Sequence, residues 1–225
     1  KNYRFFEKKI AVFKNDCPSY FAYFPQRAMR NCVLFPIETS DQDAALLIFS
    51  TLNDRGLPLS DADIFYSKLY RFYKEKGEEE RSNFVEQWRD LSERCEQLFH
   101  PYNATPMDEL FIKYMFYIRA LENETGLMTQ GTRSFFEKND YSALRKDEVF
   151  PTLQKIARFW SDIFEQDTSL YSLDVLKCFS ILAQASNILP SHFITVYYLL
   201  DPPATNEAWL DLLERLIACV LLYAV

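Results

Sequence analysis

Residues 48–60 read IFSTLNDRGLPLS and lie between two segments with helical periodicity. Apolar residues at positions 45, 48, 49 and 52 supply the buried stripe of the first helix. Gly56 can adopt a positive φ without steric cost and so end that helix. Ser60 and Asp63 have the spacing of a capping box, with Asp in place of Glu, at the start of the second helix. We therefore predict a helix, a sharp stop and a second helix, with the polar triplet Asn-Asp-Arg at the stop, where binding function tends to lie.

The remainder of the chain carries the same helical signal. Apolar residues recur at 84, 88, 91, 95 and 98, and again at 149, 153, 156, 160 and 163, which is the spacing of one helix face. Further helices are predicted over 3–13, 107–121, 173–188, 190–200 and 206–223, with Pro190 in a first helical position. Residues 32–37 are the one strand candidate. We predict a mainly α fold, an irregular domain of roughly nine or ten helices with at most one short N-terminal strand.

Composition excludes several classes of protein. Only 4 of the 225 residues are glycine, which disfavours sheet-rich and Rossmann-like folds, and 48% are hydrophobic, which excludes disorder. The five cysteines are scattered and never form a C-x-x-C pair, so we expect small buried side chains in a reducing cytoplasm. The longest apolar run, residues 216–225, is about half the length of a membrane span. We therefore expect no membrane partner.

Two parts of the chain differ in pattern. Residues 1–38 are predicted to form an N-terminal helix and an extended segment, and residues 39–225 a helical domain. The chain does not begin with Met and ends inside an apolar run. We expect it to be a piece of a longer protein.

Charge is distributed unevenly along the chain. The net charge is −7, but the first 35 residues carry +5 and the remainder −12. A basic end can face phosphate or an acidic partner, and the aromatic residues beside it resemble a base-stacking surface. The alternatives are a solvated basic helix face and aromatic side chains that belong to the core. The candidate phosphate or nucleic-acid contacts are Arg4, Lys8, Lys9, Arg27, Arg30 and Arg55.

The sequence offers little catalytic chemistry. Its two histidines, His100 and His192, have no second ligand at metal-binding spacing. We expect His100 to complement a helix C-terminus and His192 to be a packed or partly exposed core residue. No Walker, dinucleotide-binding or nucleophile-elbow motif is present, and Asp61 and Asp63 are accounted for by helix capping. We predict no catalytic residue, no metal ligand and no cofactor in this chain.

The turn that ends the first helix does not require an arginine, so Arg55 needs a separate explanation. Its guanidinium is a planar donor group suited to phosphate or carboxylate. The alternative is a salt bridge to a neighbouring acid, Asp54 or Asp63.

At this motif the chain resembles the N-terminal domain family of GmrSD-type restriction endonucleases, a ParB/sulfiredoxin-like family long of unknown function. The family pattern is Phe-x-x-Leu-Asn-x-Arg-Gly-x-x-Leu-Ser-x-x-Asp-Leu, and nine positions agree across sixteen residues. Members often carry Lys three residues after the Asp, where this chain has Tyr66. The matching residues are Phe49, Leu52, Asn53, Arg55, Gly56, Leu59, Ser60, Asp63 and Ile64.

The resemblance implies more than this chain contains. Family members carry an upstream Asp-Gly-Gln-Gln-Arg motif, associated with nucleotide hydrolysis, and often a downstream His-Asn-His nuclease domain. Neither motif is present here. The chain is thus similar to the family segment that follows the first motif, with residues 1–38 a remnant of the head domain. The resemblance also implies an NTP and Mg²⁺ as cofactors of the parent protein. It implies head and nuclease domains of the same chain as the partners of this segment.

Two functions follow as expectations. In the first, the chain is the helical segment of a bacterial defence protein that restricts modified DNA, and it couples a nucleotide-dependent head to an effector nuclease. The parent is then an NTP-dependent DNA endonuclease, while this segment is not an enzyme. In the second, the acidic helical body is a protein-interaction scaffold that holds a basic partner.

Overall fold

The computed structural model describes residues 2–31, 60–101, 104–126, 131–184 and 188–223. The chain divides into two compact units, Lys1–Ile48 and Phe49–Val225. The boundary between them, the predicted boundary at 38/39 and the strand candidate at 32–37 all lie outside the described residues. The described residues are helical or in connections, which confirms the mainly α fold.

The described part of the first unit is a run of three helices. The predicted helix at 3–13 is confirmed, and Pro18 and Pro25 each lie in the first turn of a later helix, where proline is tolerated. Phe13, Phe21 and Phe24 bring their ring centroids within 6.0–6.3 Å of one another. The three helices are α1 (Asn2–Asp16), α2 (Pro18–Phe21) and α3 (Phe24–Asn31).

The second unit is a layered set of helices over its described residues. The two stretches with apolar residues spaced alternately four and three positions apart, 84–98 and 149–163, form helices with those residues inward, as predicted. A single 3₁₀ turn at Ser142–Leu144 joins two of the helices. The helices are α4 (Asp61–Lys76), α5 (Glu78–Leu98), α6 (Pro106–Leu121), α7 (Thr132–Glu137), α8 (Val149–Phe164), α9 (Leu173–Gln184), α10 (Ile188–Leu200) and α11 (Asn206–Tyr223).

The start of α10 differs from the prediction. The helix begins at Ile188, so Pro190 is its third residue and not its first. Proline is accommodated there because the first backbone N–H groups of a helix have no partner within the helix. The boundary predicted from Pro190 was therefore wrong by two residues.

Helix α6 is the centre of the second unit. It packs against α4, α5, α7, α8 and α10, and nine of its sixteen residues are buried. Apolar residues occupy almost its whole circumference, which is the pattern of a helix surrounded by others. Two hydrophobic clusters meet beside it: one joins α4–α7 to the start of α8, and the other joins the end of α8 to α9–α11.

Candidate functional site

The described half of the family motif forms the start of α4. The Ser60 hydroxyl accepts a hydrogen bond from the Asp63 backbone N–H at 3.1 Å, and the Asp63 carboxylate accepts one from the Ser60 N–H at 3.2 Å. The predicted capping box is therefore present, and Ile64 packs against the core. The remaining motif residues, Phe49, Leu52, Asn53, Arg55, Gly56 and Leu59, lie outside the described residues.

One carboxylate joins the starts of two helices. Asp108, on α6, is 9% exposed. Its Oδ1 accepts a hydrogen bond from the Ala62 backbone N–H at 2.7 Å, and its Oδ2 accepts one from the Thr105 N–H at 2.8 Å. Thr105 completes a capping box on α6 with the same aspartate. Because an N-terminal N–H of α4 is satisfied from α6, the two helix starts are held at a fixed separation.

A second contact fastens α4 to α7. Arg133 donates from its Nε to Asp61 Oδ1 at 2.8 Å and from its backbone N–H to Asp61 Oδ2 at 3.2 Å. Helix capping alone was expected for Asp61, and that expectation was too narrow because it missed this partner 72 residues away. We call the set Ser60, Asp61, Ala62, Asp63, Thr105, Asp108 and Arg133 the α4 junction.

We expect Asp108→Asn to lower the free energy of unfolding by about 1–3 kcal/mol, because the amide group places a donor against one of the two backbone N–H groups. Urea unfolding followed by circular dichroism measures this change. The matched control is Asp90→Asn, since the Asp90 side chain is exposed on α5 and should change stability by less than about 0.5 kcal/mol. Equal effects of the two substitutions would contradict the role given to Asp108.

The basic candidates of the first unit lie on two helices. Arg4, Lys8 and Lys9 are on α1, and Arg27 and Arg30 are on α3; all five are exposed. That placement suits both a phosphate-binding surface and a solvated helix face. The alternative that the N-terminal aromatic residues belong to the core was wrong for several of them, because the following side chains are exposed: Tyr3, Phe5, Phe6, Tyr20 and Tyr23.

The cysteines follow the expectation only in part. Cys95 and Cys178 are buried, and burial raises the pKa of the Cys95 thiol to about 12. Cys219 is exposed and Cys17 half-buried, so the prediction of burial was wrong for Cys219. Two apolar neighbours of Cys219 on the same helix, Leu221 and Leu222, are exposed as well.

A cavity of about 620 Å³ lies beside α6. Its wall is mainly apolar and comes from the end of α5, the end of α8 and one face of α9, with polar groups on the α6 and α10 side. His100 lies at its edge, exposed, just beyond the end of α5. The apolar lining residues are Leu98, Phe99, Pro101, Trp160, Ile163, Phe164, Leu176, Phe179 and Ala183.

Charged side chains are buried at the polar end of this cavity. Lys113 is 2% exposed and donates hydrogen bonds from its Nζ to Glu109 Oε1 at 2.9 Å and to the Ser191 hydroxyl at 2.7 Å. His192 Nε2 lies 3.0 Å from the same Glu109 oxygen, and its ring stacks on Phe116 at 4.8 Å. We call Glu109, Lys113, Ser191 and His192 the buried polar cluster. His192 is a packed core residue, as one of the two expectations held, and it also contacts the buried Lys113–Glu109 ion pair.

The cluster changes the proton affinities of its members. Burial raises the pKa of Glu109, but the hydrogen bonds from His192 and Lys113 and the Lys113 charge outweigh it, so the pKa is lowered. Burial lowers the pKa of Lys113 by more than Glu109 raises it. His192 Nδ1 is buried and has no hydrogen-bond partner among the described residues.

Sequence reasoning did not select this cluster, although one signal was present. Glu109 and Lys113 are spaced i, i+4 on a helix whose other central residues are apolar, and such a pair on an apolar helix is buried together. Ser191 and His192 could not be added, because they come from α10, about eighty residues further along the chain.

No family model matches the chain, and no curated protein or solved structure matches it significantly. Within the described ranges, no group of three or more His, Cys, Asp and Glu side chains is placed to hold a metal ion. No helix in that part of the chain is long and apolar enough to cross a bilayer. The family assignment from residues 49–64 stays a prediction.

Proposed function

We propose that this chain is the helical segment of a GmrSD-like bacterial defence protein and couples a nucleotide-dependent head to an effector nuclease. The motif at residues 49–64 supports the family, and the α4 junction supports the coupling. The motif leads directly into α4, and Asp61 and Asp108 fasten the first turn of α4 to α7 and α6. A change at the motif therefore has a direct mechanical route into the helical body.

The central position of α6 extends this route. Because α6 also packs on α5, α8 and α10, a displacement of its first turn by Asp108 reaches both hydrophobic clusters. Packed helices tend to move as rigid bodies between alternative arrangements. In this proposal the helical segment transmits the state of the head and does no chemistry itself.

Arg55 and Asn53 have the binding role in this proposal. We propose that both residues lie at the junction of the head and the helical domain in the parent protein, with Arg55 near a nucleotide phosphate or the acidic groups that organise its site. The nucleotide and Mg²⁺ belong to the head of the parent protein. Arg4, Lys8, Lys9, Arg27 and Arg30 are the candidate contacts for DNA phosphates, and the protein acts in the bacterial cytoplasm.

The test uses the intact parent protein and a fluorescently labelled nucleoside triphosphate. We expect Arg55→Ala to weaken nucleotide binding at least about tenfold, as for the loss of a hydrogen bond to a charged group. The control is Arg89→Ala, whose side chain is exposed on α5 and should leave the affinity within about twofold.

Wild-type affinity in the Arg55→Ala variant would overturn the role of Arg55. A parent protein that binds no nucleotide at all would overturn the function proposed here and favour the helical scaffold for a basic partner. Reading the coding sequence upstream of residue 1 gives an independent check, because the proposal requires an Asp-Gly-Gln-Gln-Arg motif there.

A further inference from the structure

The cavity beside α6 has features that the proposed coupling role does not use. Its volume of about 620 Å³ lies within the range of small-molecule sites, which is about 300–1,000 Å³. Such sites are lined mainly by apolar and aromatic side chains with a few polar groups at fixed positions. Here the rings of Phe99, Trp160, Phe164 and Phe179 supply the first feature, and Lys113 with Glu109 supplies the second.

Charge balance restricts what the cavity can hold. The Lys113 ammonium is paired with the Glu109 carboxylate at 2.9 Å, and both side chains are less than 10% exposed. An anionic ligand would lie beside the Glu109 carboxylate, and a cationic ligand beside the ammonium, in an apolar surrounding. A buried charge without its own partner is strongly unfavourable. The site therefore favours an uncharged molecule.

Lys113 also determines which polar group such a molecule should carry. An ammonium has three N–H donors, and the described residues accept two of them, at Glu109 and Ser191. The faces of Phe99 and Trp160 lie 5.3 and 5.4 Å from the Nζ, and Lys113 lines the cavity together with both rings. A carbonyl or ether oxygen in the cavity could accept the third donor.

We propose that this cavity binds an uncharged, planar aromatic molecule with a hydrogen-bond acceptor that contacts the Lys113 amine. The aromatic body packs against the wall rings of Trp160 and Phe179, which contact each other edge to face at 6.3 Å and lie on different helices. The acceptor takes the third N–H of the Lys113 ammonium. This site is independent of the nucleotide head and of Arg55.

The test probe is prodan, an uncharged naphthalene ketone whose emission reports its surroundings. We expect it to bind with a dissociation constant below about 100 μM, the range for a ligand of its size. Ala183→Phe places a ring in the cavity from an exposed position on α9 and should weaken binding at least about tenfold. The matched control is Ile181→Phe, because Ile181 is 48% exposed on the same helix and is not a wall residue.

Two further measurements separate the parts of the proposal. In competition with prodan, 2-acetonaphthone should bind at least about tenfold more tightly than 2-naphthoate, its anionic counterpart of similar size. Lys113→Met should shift the emission of bound prodan to shorter wavelength, since the ketone loses its donor. Because Lys113→Met also leaves the Glu109 carboxylate unpaired, the same shift is required of Lys113→Met combined with Glu109→Gln, which removes both charges.

Four results would overturn the inference. A prodan dissociation constant above about 100 μM would show that the cavity is not a binding site for such a molecule. Equal affinities of Ala183→Phe and Ile181→Phe for prodan would show that the probe binds outside this cavity. Equal binding of 2-naphthoate and 2-acetonaphthone contradicts the requirement for an uncharged ligand. Unchanged emission in a folded Lys113→Met variant contradicts the contact with the amine.

Discussion

Glu109→Ala is expected to lower the free energy of unfolding by about 3–5 kcal/mol. The substitution removes the carboxylate that pairs with Lys113 and leaves an ammonium that is 2% exposed without a charge partner. Removing one member of a buried ion pair costs this much because the remaining charge stays desolvated. Urea unfolding of the second unit within the full chain, followed by circular dichroism, measures the change.

The pH dependence distinguishes this cause from lost packing. The folded-state pKa of Glu109 lies below its ordinary value of 4.5, so its stabilisation is present above that value and is lost as the pH falls through the folded pKa. The difference between wild type and Glu109→Ala should therefore shrink in acid. In the variant, burial lowers the pKa of Lys113 without opposition from Glu109. The folded state then releases the Lys113 proton at a lower pH than the unfolded state, so the variant should regain stability as the pH rises towards the ordinary lysine pKa of 10.5.

The control for Glu109→Ala is Asp211→Ala, which removes an exposed i, i+4 partner of Arg215. Exposed pairs of this kind contribute little, so its unfolding midpoint should stay close to that of the wild type at every pH. A Glu109→Ala difference that is independent of pH would contradict the account of a buried charge pair.

Phe65→Ala is expected to lower the free energy of unfolding by about 3–5 kcal/mol. Phe65 is fully buried, and its ring centroid lies 4.7 Å from that of Phe111 and 5.0 Å from that of Phe136. It thus joins α4, α6 and α7 at one point, and its loss leaves a void that rigid neighbouring rings fill poorly. Thermal or urea unfolding provides the measurement.

The matched control is Phe193→Ala, because Phe193 is 48% exposed on α10. Its truncation removes less buried surface and leaves no enclosed void, so the cost should stay below about 1.5 kcal/mol. If the two substitutions were equally costly, the hydrophobic cluster around Phe65 would not have the role assigned to it.

Most helices of the second unit could be predicted because their signals are local, whereas α7 (Thr132–Glu137) was not predicted. The stripe from Phe84 to Leu98 and the stripe from Val149 to Ile163 each give one helix, and the Ser60–Asp63 spacing gives the α4 capping box. These features depend on residues three or four positions apart, which a sequence displays directly.

The parts that could not be predicted depend on residues distant in sequence. Asp108 satisfies an N–H on α4 that lies 46 residues earlier, and Glu109 meets His192 83 residues later. Periodicity shows which face of a helix is apolar but not which helix covers it. For the same reason it could not show that the Phe5 and Phe6 rings of α1 are exposed.

The most direct test of the coupling role is Asp61→Asn in the intact parent protein. It weakens the contact between Asp61 and Arg133 at the α4 junction and leaves the capping residues and the motif unchanged. Two quantities are measured together. One is nucleotide hydrolysis by the purified protein, and the other is the plating efficiency of a phage with modified DNA bases on cells that carry the gene for this protein. The control is Asp174→Asn, an exposed carboxylate on α9.

A coupling free energy of about 1–3 kcal/mol changes the affinity at the coupled site by a factor of about 5–150. We therefore predict that Asp61→Asn keeps hydrolysis within about twofold of the wild type but weakens restriction at least about fivefold, while the control changes neither. Full restriction by the Asp61→Asn protein, or a proportional loss of hydrolysis and restriction, would contradict transmission through the α4 junction.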